Sequence, residues 1–346
     1  MINKTLTTVT LNPSIDKTIT LESLIKDGLN RVQNIRYDAG GKGINLSVAF
    51  KGLGGDTKAV GINYRQNGGM LEDFLKKCNI SYDFVLADGR LRENLKIYSS
   101  KTENITEINE QGGFVTEKNI KDLIIKVKHE AANSKAIALC GSIPKGVSSD
   151  IYKKLLEECN SISVFRILDA EEDMLLSGIT SGPDMIKPNL FELCTVTGQK
   201  PKSHEKIVKT ARDFAMPYGV SYVCVSMGED GAMLVTKDES FYTKSLKVDV
   251  KGTTGAGDSF IAGFVKGLFE EKRTEKLLAY GVAAACDSVE KEGTMLCEEK
   301  GFIEKLNNFP NIAVRFKYSI QIDLAKINKN IFEFANTKEI SSFEMI

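Results

Sequence analysis

Apolar runs with the length of β-strands alternate with helical patterns along most of the chain. The candidate strands are 5–11, 57–62, 135–140, 163–169, 185–187 and 222–226. The candidate helices are 44–53, 67–78, 117–133, 149–159, 190–197, 205–218, 257–269 and 275–289. Parallel strands need a crossover between them, which is usually a helix. The alternation therefore predicts an α/β fold, with a mostly parallel sheet and helices on both of its faces.

Two segments interrupt this alternation, at 15–37 and 93–109. Both carry short period-two patterns with turn residues, which are typical of antiparallel strands outside the main sheet. A small β flap inserted into an α/β core would suit a lid over a binding site. A pair of surface hairpins explains the pattern equally well, so both interpretations stay open.

Composition narrows the function classes. Lys plus Arg and Asp plus Glu both total 46, so the formal net charge is zero and no global field favours nucleic acid or an anionic membrane. No stretch approaches the roughly 20 apolar residues of a membrane span, and the polar start lacks the pattern of a signal peptide. Seven cysteines without a CxxC pair indicate free thiols in a reducing compartment. We therefore expect a cytoplasmic protein.

The strongest chemical signal is the stretch Gly-Thr-Thr-Gly-Ala-Gly-Asp-Ser-Phe at 252–260, which opens a predicted helix. Small residues let the backbone approach a ligand, and the N–H groups at a helix start favour anions. Asp258, in the first turn, is placed either to cap the helix or to accept a proton from a substrate hydroxyl. A plain glycine-rich turn with a capping aspartate explains the stretch about as well.

Three further segments stand at predicted loop-to-helix or strand-to-turn junctions. Asp-Ala-Gly-Gly-Lys-Gly-Ile-Asn at 38–45 opens a helix and suits a phosphate or polyol site, although a loop with a solvated lysine is the alternative. Asn189 and Glu192 share a helix start at 187–193 and could hold waters around Mg²⁺, or could only cap the helix. The segment 226–231 could contact a nucleotide, but a tight turn is its more frequent meaning.

Two common nucleotide motifs are absent from the sequence. It contains no GxxxxGK[ST], which argues against a P-loop protein, and no GxGxxG after the first strand, which argues against a dinucleotide-binding start. With only His129 and His204 in the chain, a histidine-based zinc site or a Ser-His-Asp triad has little support.

Taken in order, eight segments between about residues 8 and 294 resemble the ribokinase superfamily and, within it, the phosphofructokinase-B branch. They are Asn-Pro-Ser-Ile-Asp at 12–16, Ala-Gly-Gly-Lys-Gly-Ile-Asn at 39–45, Arg-Glu-Asn-Leu-Lys at 92–96, Thr-Glu-Ile-Asn at 106–109, Gly-Ser-Ile-Pro at 141–144, Lys-Pro-Asn at 187–189 with Glu192, Ser226 with Gly228 and Gly231, and Gly-Ala-Gly-Asp-Ser at 255–259. The resemblance implies a three-layer α/β/α kinase domain over 1–315, with lid strands within 13–39 and 89–112. Residues 316–346 would form an extension of unknown role.

The resemblance also implies roles for the matching residues. The catalytic set would be Asp258 as base, with Gly255, Ala256 and Gly257 as the anion hole. The substrate set would be Asp16, Gly40, Gly41, Lys42, Asn45, Arg92, Asn94 and Ser142. Within it, Lys42 and Arg92, with Asn94 and Ser142, would bind the phosphate that the substrate already carries. The set on the side of ATP and Mg²⁺ would be Lys187, Asn189, Glu192, Ser226, Gly228, Gly231 and Thr253, with Glu192 and Asn189 near the metal. A homodimer through the β lid is expected as well.

The expected reaction is ATP-dependent phosphorylation of a sugar phosphate. The order of the motifs is most similar to that of kinases for fructose 1-phosphate, with those for tagatose 6-phosphate next. An unphosphorylated sugar or nucleoside is a further alternative, although Lys42 and Arg92 favour an anionic substrate. The family's usual Asp-Thr-Ser-Gly is Asp-Ala-Glu-Glu here at 169–172, and such departures keep a catalytically idle kinase-fold protein as another alternative.

Overall fold

The computed structural model of the protein describes residues 4–291 and 295–309 and the backbone of 314–317. Met1–Phe316 form one compact unit and Lys317–Ile346 a second one. The apolar residues at 320–334 have helical spacing in the sequence, but this segment lies outside the described residues. Within the described part, no helix combines the length and the apolar character needed to cross a bilayer.

Ten strands form one sheet. In chain order the strands of the protein are β1 (Thr5–Thr10), β2 (Ser14–Leu21), β3 (Asn34–Gly40), β4 (Asp56–Gln66), β5 (Ser81–Arg90), β6 (Arg92–Ser99), β7 (Asn104–Asn109), β8 (Ala136–Cys140), β9 (Phe165–Asp169), β10 (Met185–Ile186), β11 (Tyr222–Ser226), β12 (Ala232–Val235), β13 (Glu239–Thr243) and β14 (Val314–Lys317). The large sheet has the order β14-β13-β12-β11-β10-β9-β8-β1-β4-β5. Its strands from β11 to β5 pair in parallel, whereas β11, β12 and β13 pair antiparallel.

The helices cover both faces of this sheet. They are α1 (Lys42–Gly52), α2 (Gly69–Lys77), α3 (Glu117–Ala132), α4 (Ile151–Glu158), α5 (Glu172–Ile179), α6 (Leu190–Thr197), α7 (His204–Ala215), α8 (Ala256–Phe269), α9 (Thr274–Val289) and α10 (Glu299–Asn307). Alternate side chains of a strand point to opposite faces. Along β8, Ile137 and Leu139 accordingly join one hydrophobic cluster, whereas Ala136 and Ala138 join the other. The prediction of a three-layer α/β/α core is therefore confirmed.

The two interrupting segments form a separate four-stranded sheet in the order β3-β2-β6-β7, which we call the small sheet. The hairpins β2–β3 and β6–β7 are antiparallel, as the sequence predicts. The prediction of antiparallel strands throughout is wrong for the central pair, because β2 and β6 run parallel. The reason is that β2 leaves the core after β1 and β6 leaves it after β5, and β1 and β5 both run parallel to β4.

The sequence patterns locate some elements well and miss others. The limits of β11 and α6 agree with the predicted 222–226 and 190–197. Helix α7 ends at Ala215, three residues before the predicted end, and a 3-10 turn follows at Met216–Tyr218 because Pro217 cannot donate a helical hydrogen bond. Among the described residues, six elements were not predicted, namely β5, β12, β13, β14, α5 and α10.

Candidate active site

A cleft of about 380 Å³ lies where the carboxyl ends of β1 and β8 meet the small sheet. Ligands in open α/β sheets bind outside the carboxyl ends of the strands, so the position is the expected one. The cleft is lined by seven of the eight residues of the predicted substrate set, which are Asp16, Gly41, Lys42, Asn45, Arg92, Asn94 and Ser142. Gly40 lies beside them, because a Cβ at that position would come within 2.5 Å of Asp16 Oδ1.

Asp258 is buried in the first turn of α8, with 6% of its surface exposed. Asn45 Nδ2, from α1, donates a hydrogen bond of 2.9 Å to Asp258 Oδ2. Burial raises the pKa of Asp258 to about 6, and the negative charge of Asp169 adds to the rise. The hydrogen bond from Asn45 and the charges of Lys42 and Lys187 oppose it. The result is a carboxylate whose pKa is close enough to neutrality to accept and return a proton.

The turn that precedes Asp258 is shaped by its glycines. Gly255 is the N-cap of α8 and has φ 80°, a left-handed conformation that favours glycine. A glycine N-cap brings no side chain to the first-turn amides, which leaves them for another acceptor. The Ala256 N–H, however, donates to the Thr253 carbonyl at 3.2 Å. A Cβ at Gly257 would lie 3.1 Å from Lys187 Nζ, so a buried ammonium flanks this helix start.

Asp169 lies between two lysines and was not singled out from the sequence. It ends β9 and is 1% exposed, and its Oδ1 is 3.7 Å from Lys42 Nζ and 3.6 Å from Lys187 Nζ. At these distances Oδ1 has no hydrogen-bond partner among the described residues. The signal that could have identified Asp169 is its position at the carboxyl end of a buried strand, next to the other site residues.

Lys42 also contacts Glu171, whose Oε1 is 2.8 Å from Lys42 Nζ. Burial lowers the pKa of Lys42, but the carboxylates of Asp169 and Glu171 outweigh burial and raise it. Lys42 therefore stays charged in the free protein, with two carboxylates already beside it. The sequence predicts Lys42 as an anion ligand but does not predict these two partners.

The part of the cleft formed by the small sheet contains a second buried carboxylate, that of Asp16. Ser14 Oγ donates to Asp16 Oδ1 at 2.8 Å, and Asn94 Nδ2 donates to the same oxygen at 3.0 Å. Lys96 Nζ lies 2.9 Å from Asp16 Oδ2, and both side chains are nearly fully buried. Asp16 and Asn94 are in register across the parallel pair β2–β6, which explains their contact. Lys96 was not assigned a role from the sequence, although it lies in the same motif as Arg92.

Arg92 is bound mostly to backbone carbonyls. Its Nη2 donates to the Asn12 carbonyl at 2.9 Å, and its Nη1 donates to the Glu110 carbonyl at 3.2 Å. Burial lowers the pKa of Arg92. Asn12 in turn donates from Nδ2 to Ser142 Oγ at 3.1 Å. The guanidinium therefore joins the β1–β2 turn to the segment after β7 and still lines the cleft.

A second cavity, of about 830 Å³, lies on the other side of the α8 start. Of the predicted nucleotide set, Ser226, Gly228, Gly231 and Thr253 line it. Apolar side chains such as Val250, Phe260 and Val282 line it as well, and such surfaces suit a planar base. Asn189 instead lines a neighbouring cavity of about 650 Å³, which shares Ser226 and Gly228 with the second one.

Asn189 and Glu192, the residues predicted to lie near the metal, form hydrogen bonds with each other. Asn189 Oδ1 accepts from the Glu192 N–H at 2.8 Å, and Glu192 Oε2 accepts from the Asn189 N–H at 2.8 Å, which is a capping box at the start of α6. Glu192 Oε1 is the oxygen that this box leaves over. Within residues 4–291 and 295–309, no cluster of three or more His, Cys, Asp or Glu could hold a metal ion. A Mg²⁺ ion here would fit only through water and ligand oxygens, which is its usual habit.

Comparison with known proteins extends this description. Residues 9–301 match the family model described as pfkB family carbohydrate kinase. A 1-phosphofructokinase of Bacillus subtilis is 32% identical over 302 residues, which are 86% of this chain and 96% of that protein. A D-tagatose-1-phosphate kinase of Bacillus licheniformis is 30% identical over 259 residues, 75% of this chain and 84% of that protein. Phosphofructokinase-2 of Escherichia coli, crystallised with substrates and products, has a TM-score of 0.84 at 24% identity over 88% of this chain and 99% of that one.

The three-layer core with a small sheet beside the cleft is the ribokinase-like fold, and the similarity to 1-phosphofructokinases identifies the protein as a phosphotransferase with a hydroxyl acceptor. More particularly, the chain belongs to the pfkB family of carbohydrate kinases. The predicted fold class, family and enzyme class are confirmed. The roles of the individual site residues stay predictions.

Proposed function

We propose that this protein is an ATP-dependent kinase that converts fructose 1-phosphate to fructose 1,6-bisphosphate, with Asp258 as the general base. The observation that carries the proposal is the state of Asp258, which is buried beside an anion-attracting helix start and has its pKa raised to about 6. A general base works best when its pKa lies near the operating pH. The relative named 1-phosphofructokinase supports the choice of sugar.

In the proposed step, a sugar hydroxyl oxygen bonds to the γ-phosphorus of ATP while the bond from that phosphorus to the bridging oxygen breaks. ADP leaves with the electron pair, and Asp258 takes the hydroxyl proton. The amides at the start of α8, those of Gly255, Ala256 and Gly257, and the ammonium of Lys187 would stabilise charge on the phosphoryl oxygens. The Ala256 N–H would have to leave the Thr253 carbonyl to take part. Asn45 would hold Asp258 in position through its hydrogen bond.

Arg92 and Lys42, which both line the cleft, would bind different phosphates. Arg92 contacts Asn12 and Glu110 at the end formed by the small sheet, so we assign it, with Asn94 and Ser142, to the phosphate that the substrate already carries. Lys42 lies within 4 Å of Asp169, whose charge acts on Asp258, so we assign it to the phosphoryl group in transfer. Asp16, Gly40 and Gly41 would contact sugar hydroxyls.

ATP would occupy the second cavity, with its base against the apolar side chains and its phosphates toward the start of α8. Mg²⁺ supplies charge neutralisation to the phosphates of such reactions. The Glu192 oxygen that the capping box leaves over would hold a metal-bound water. Ser226, Gly228, Gly231 and Thr253 would contact the nucleotide.

A coupled assay of ADP release tests the substrate. The panel is fructose 1-phosphate, fructose 6-phosphate, tagatose 1-phosphate, tagatose 6-phosphate and fructose, each with and without Mg²⁺. We expect the highest kcat/KM with fructose 1-phosphate, no activity without Mg²⁺ and little activity with fructose. A preference for a tagatose phosphate would show that the proposed substrate is wrong and the proposed type of reaction is right. No turnover of any sugar would favour the idle kinase-fold alternative.

The small sheet is proposed to act as a lid over the sugar. Its residues Glu107 and Asn109 line the cleft although their strand, β7, is exposed along its length. Fructose 1-phosphate should then slow amide hydrogen exchange in β2, β6 and β7, and the sheet should exclude water that would compete as acceptor. Unchanged exchange at saturation with a substrate that is turned over would show that these strands are surface hairpins and not a lid.

A homodimer through the same sheet is also proposed. Ile35, Tyr37, Ile105 and Ile108 of the small sheet expose about half of their surface, and a second copy would cover them. Sedimentation should give twice the chain mass of 38.1 kDa, and Ile108→Glu should shift it toward the monomer. The exposed Ile125→Glu on α3 is the matched control, and a wild-type monomer would contradict the proposal.

A further inference from the structure

The loop from Asp169 to Glu172 brings a carboxylate into the cleft. Glu171 lines the cleft, and its Oε1 lies 2.8 Å from Lys42 Nζ. About half of the Glu171 side chain is exposed and so is 28% of the Lys42 side chain, so this ion pair faces solvent and any bound ligand.

Glu171 stands at the start of a helix but does not cap it with its side chain. The helix is α5, and Glu171 is its N-cap residue. A capping residue normally uses its side chain for its own helix, but this carboxylate faces Lys42 instead. The next residue, Glu172, has φ 46°, a left-handed conformation that is unusual for a residue other than glycine. Such strain persists where the surrounding structure holds it and is common at functional sites.

Negative side chains outnumber positive ones near Asp258, which affects the binding of a phosphate there. Lys42 and Lys187 face the carboxylates of Asp169, Glu171 and Asp258. The reacting sugar carries a neutral hydroxyl at this end before transfer and a doubly charged phosphate afterwards. That phosphate needs Lys42, which Glu171 already holds. The carboxylate and the new phosphate therefore compete for one ammonium.

We propose that Glu171 is a specificity-determining residue that weakens binding of sugars with a phosphate at the Asp258 end of the cleft. The inference rests on the proposed function, because it takes the sugar monophosphate as substrate and the bisphosphate as product. The carboxylate leaves affinity for the monophosphate almost unchanged, since that sugar presents only a hydroxyl to Lys42. It lowers affinity for the bisphosphate and so promotes release of the product.

Isothermal titration calorimetry of the whole protein tests this with two ligands, fructose 1-phosphate and fructose 1,6-bisphosphate. In Glu171→Gln, the Kd for the bisphosphate should fall roughly fivefold to tenfold, the effect expected from removing one negative charge a few ångströms from the new phosphate in a partly exposed site. The Kd for the monophosphate should change less than about twofold, because its phosphate is at the far end. Glu172→Gln removes the same charge one residue away and is the matched control.

A third probe, inorganic phosphate, separates this proposal from the proposed function. If the wild type binds neither fructose phosphate, the proposed substrate is wrong, but Glu171→Gln should still bind inorganic phosphate more tightly than the wild type. Adding Lys42→Met to Glu171→Gln should abolish this gain. Equal phosphate binding by the wild type and Glu171→Gln, or an equal gain in Glu172→Gln, would overturn the proposal. Circular dichroism shows whether each variant is folded.

Discussion

Two buried aspartates of the site, Asp16, which lines the cleft, and Asp258, which contacts the cleft residue Asn45, are equally inaccessible, with 6% of each exposed, but their surroundings differ. The Asp16 carboxylate accepts two hydrogen bonds, from Ser14 and Asn94, and forms an ion pair with Lys96. The Asp258 carboxylate accepts one hydrogen bond, from Asn45, and has the carboxylate of Asp169 near it. The charge of Asp16 is balanced by the ammonium of Lys96. The charge of Asp258 is disfavoured by burial and by the nearby Asp169.

The difference separates a structural use of buried charge from a chemical one. A buried carboxylate with a full set of hydrogen-bond and charge partners serves to position strands and ligands. A carboxylate with few partners binds a proton more readily, and such shifted pKa values are concentrated at functional sites. The comparison makes opposite predictions for removal of the two charges.

The largest expected effect is on catalysis. Asp258→Asn should lower kcat about 100- to 10,000-fold, the usual contribution of a positioned general base. The KM for ATP should stay within about twofold, because other groups hold the nucleotide. The coupled ADP assay measures both. Asp249→Asn, an exposed aspartate on the loop before the same helix, is the control. Near-normal turnover in Asp258→Asn would remove the base assignment.

The next effect is on stability, at the other aspartate. Asp16→Asn leaves the ammonium of Lys96 buried without its counter-charge, which should lower the free energy of unfolding by roughly 3–5 kcal/mol. Urea denaturation measures the change. Asp38→Asn breaks a more exposed pair with Arg36 in the same sheet and should cost less than about 1 kcal/mol. Equal losses in the two variants would mean that burial of the Asp16 pair has no special effect.

Asp258→Asn should have the opposite effect on stability. The pKa of Asp258 rises from 3.8 to about 6 on folding, so the folded state binds the proton more tightly than the unfolded state. The contribution of Asp258 to the free energy of unfolding should therefore fall as the pH rises from about 4 to about 6. At pH 7 the variant should be more stable by about 3 kcal/mol, and at pH 4 the difference should disappear. A variant that is less stable at pH 7 would contradict the contrast with Asp16.

A smaller effect is expected at Arg92, which lies beside the Asp16 cluster. Arg92→Ala should raise the KM for the sugar phosphate more than about tenfold and leave the KM for ATP unchanged. The reason is the loss of a charge-assisted contact that contributes roughly 1.5–3 kcal/mol. Steady-state kinetics with each substrate varied in turn measures the two constants. Arg90→Ala, on the exposed end of β5, is the control. If both KM values rise together, the contacts of Arg92 with backbone carbonyls are its main role.

The parts of the site that the sequence predicts are those made by neighbouring residues. The stretch 255–258 contains both the helix start and its buried aspartate, and Asn189 with Glu192 forms a cap that spacing alone predicts. The three-residue spacing of Asn189 and Glu192 predicts the helix cap but not a metal site. Whether Glu192 also serves a metal depends on groups outside the motif.

The parts that the sequence does not predict depend on contacts between distant segments. Asp169 meets Lys42 and Lys187 only because β9 ends beside β8 and β10 in the sheet. The missed strands β12 and β13 form an antiparallel hairpin near one end of a sheet that the sequence predicts to be mostly parallel. The departure at 171–172 was visible, but its meaning required the distance from Glu171 to Lys42.

The parallel pairing of β2 with β6 has a consequence for how the protein folds. Asp16 and Asn94 are 78 residues apart, and the intervening chain includes α1, α2, β4 and β5 of the core. Pairing at such a separation costs loop-closure entropy, which is recovered once the intervening segments are already ordered. We therefore expect the core sheet to assemble before the small sheet, through a species that has the Asp258 end of the cleft but not the Asp16 end. Such a species would expose the edge of β2 to other chains, so the last folding step is the one at which aggregation competes.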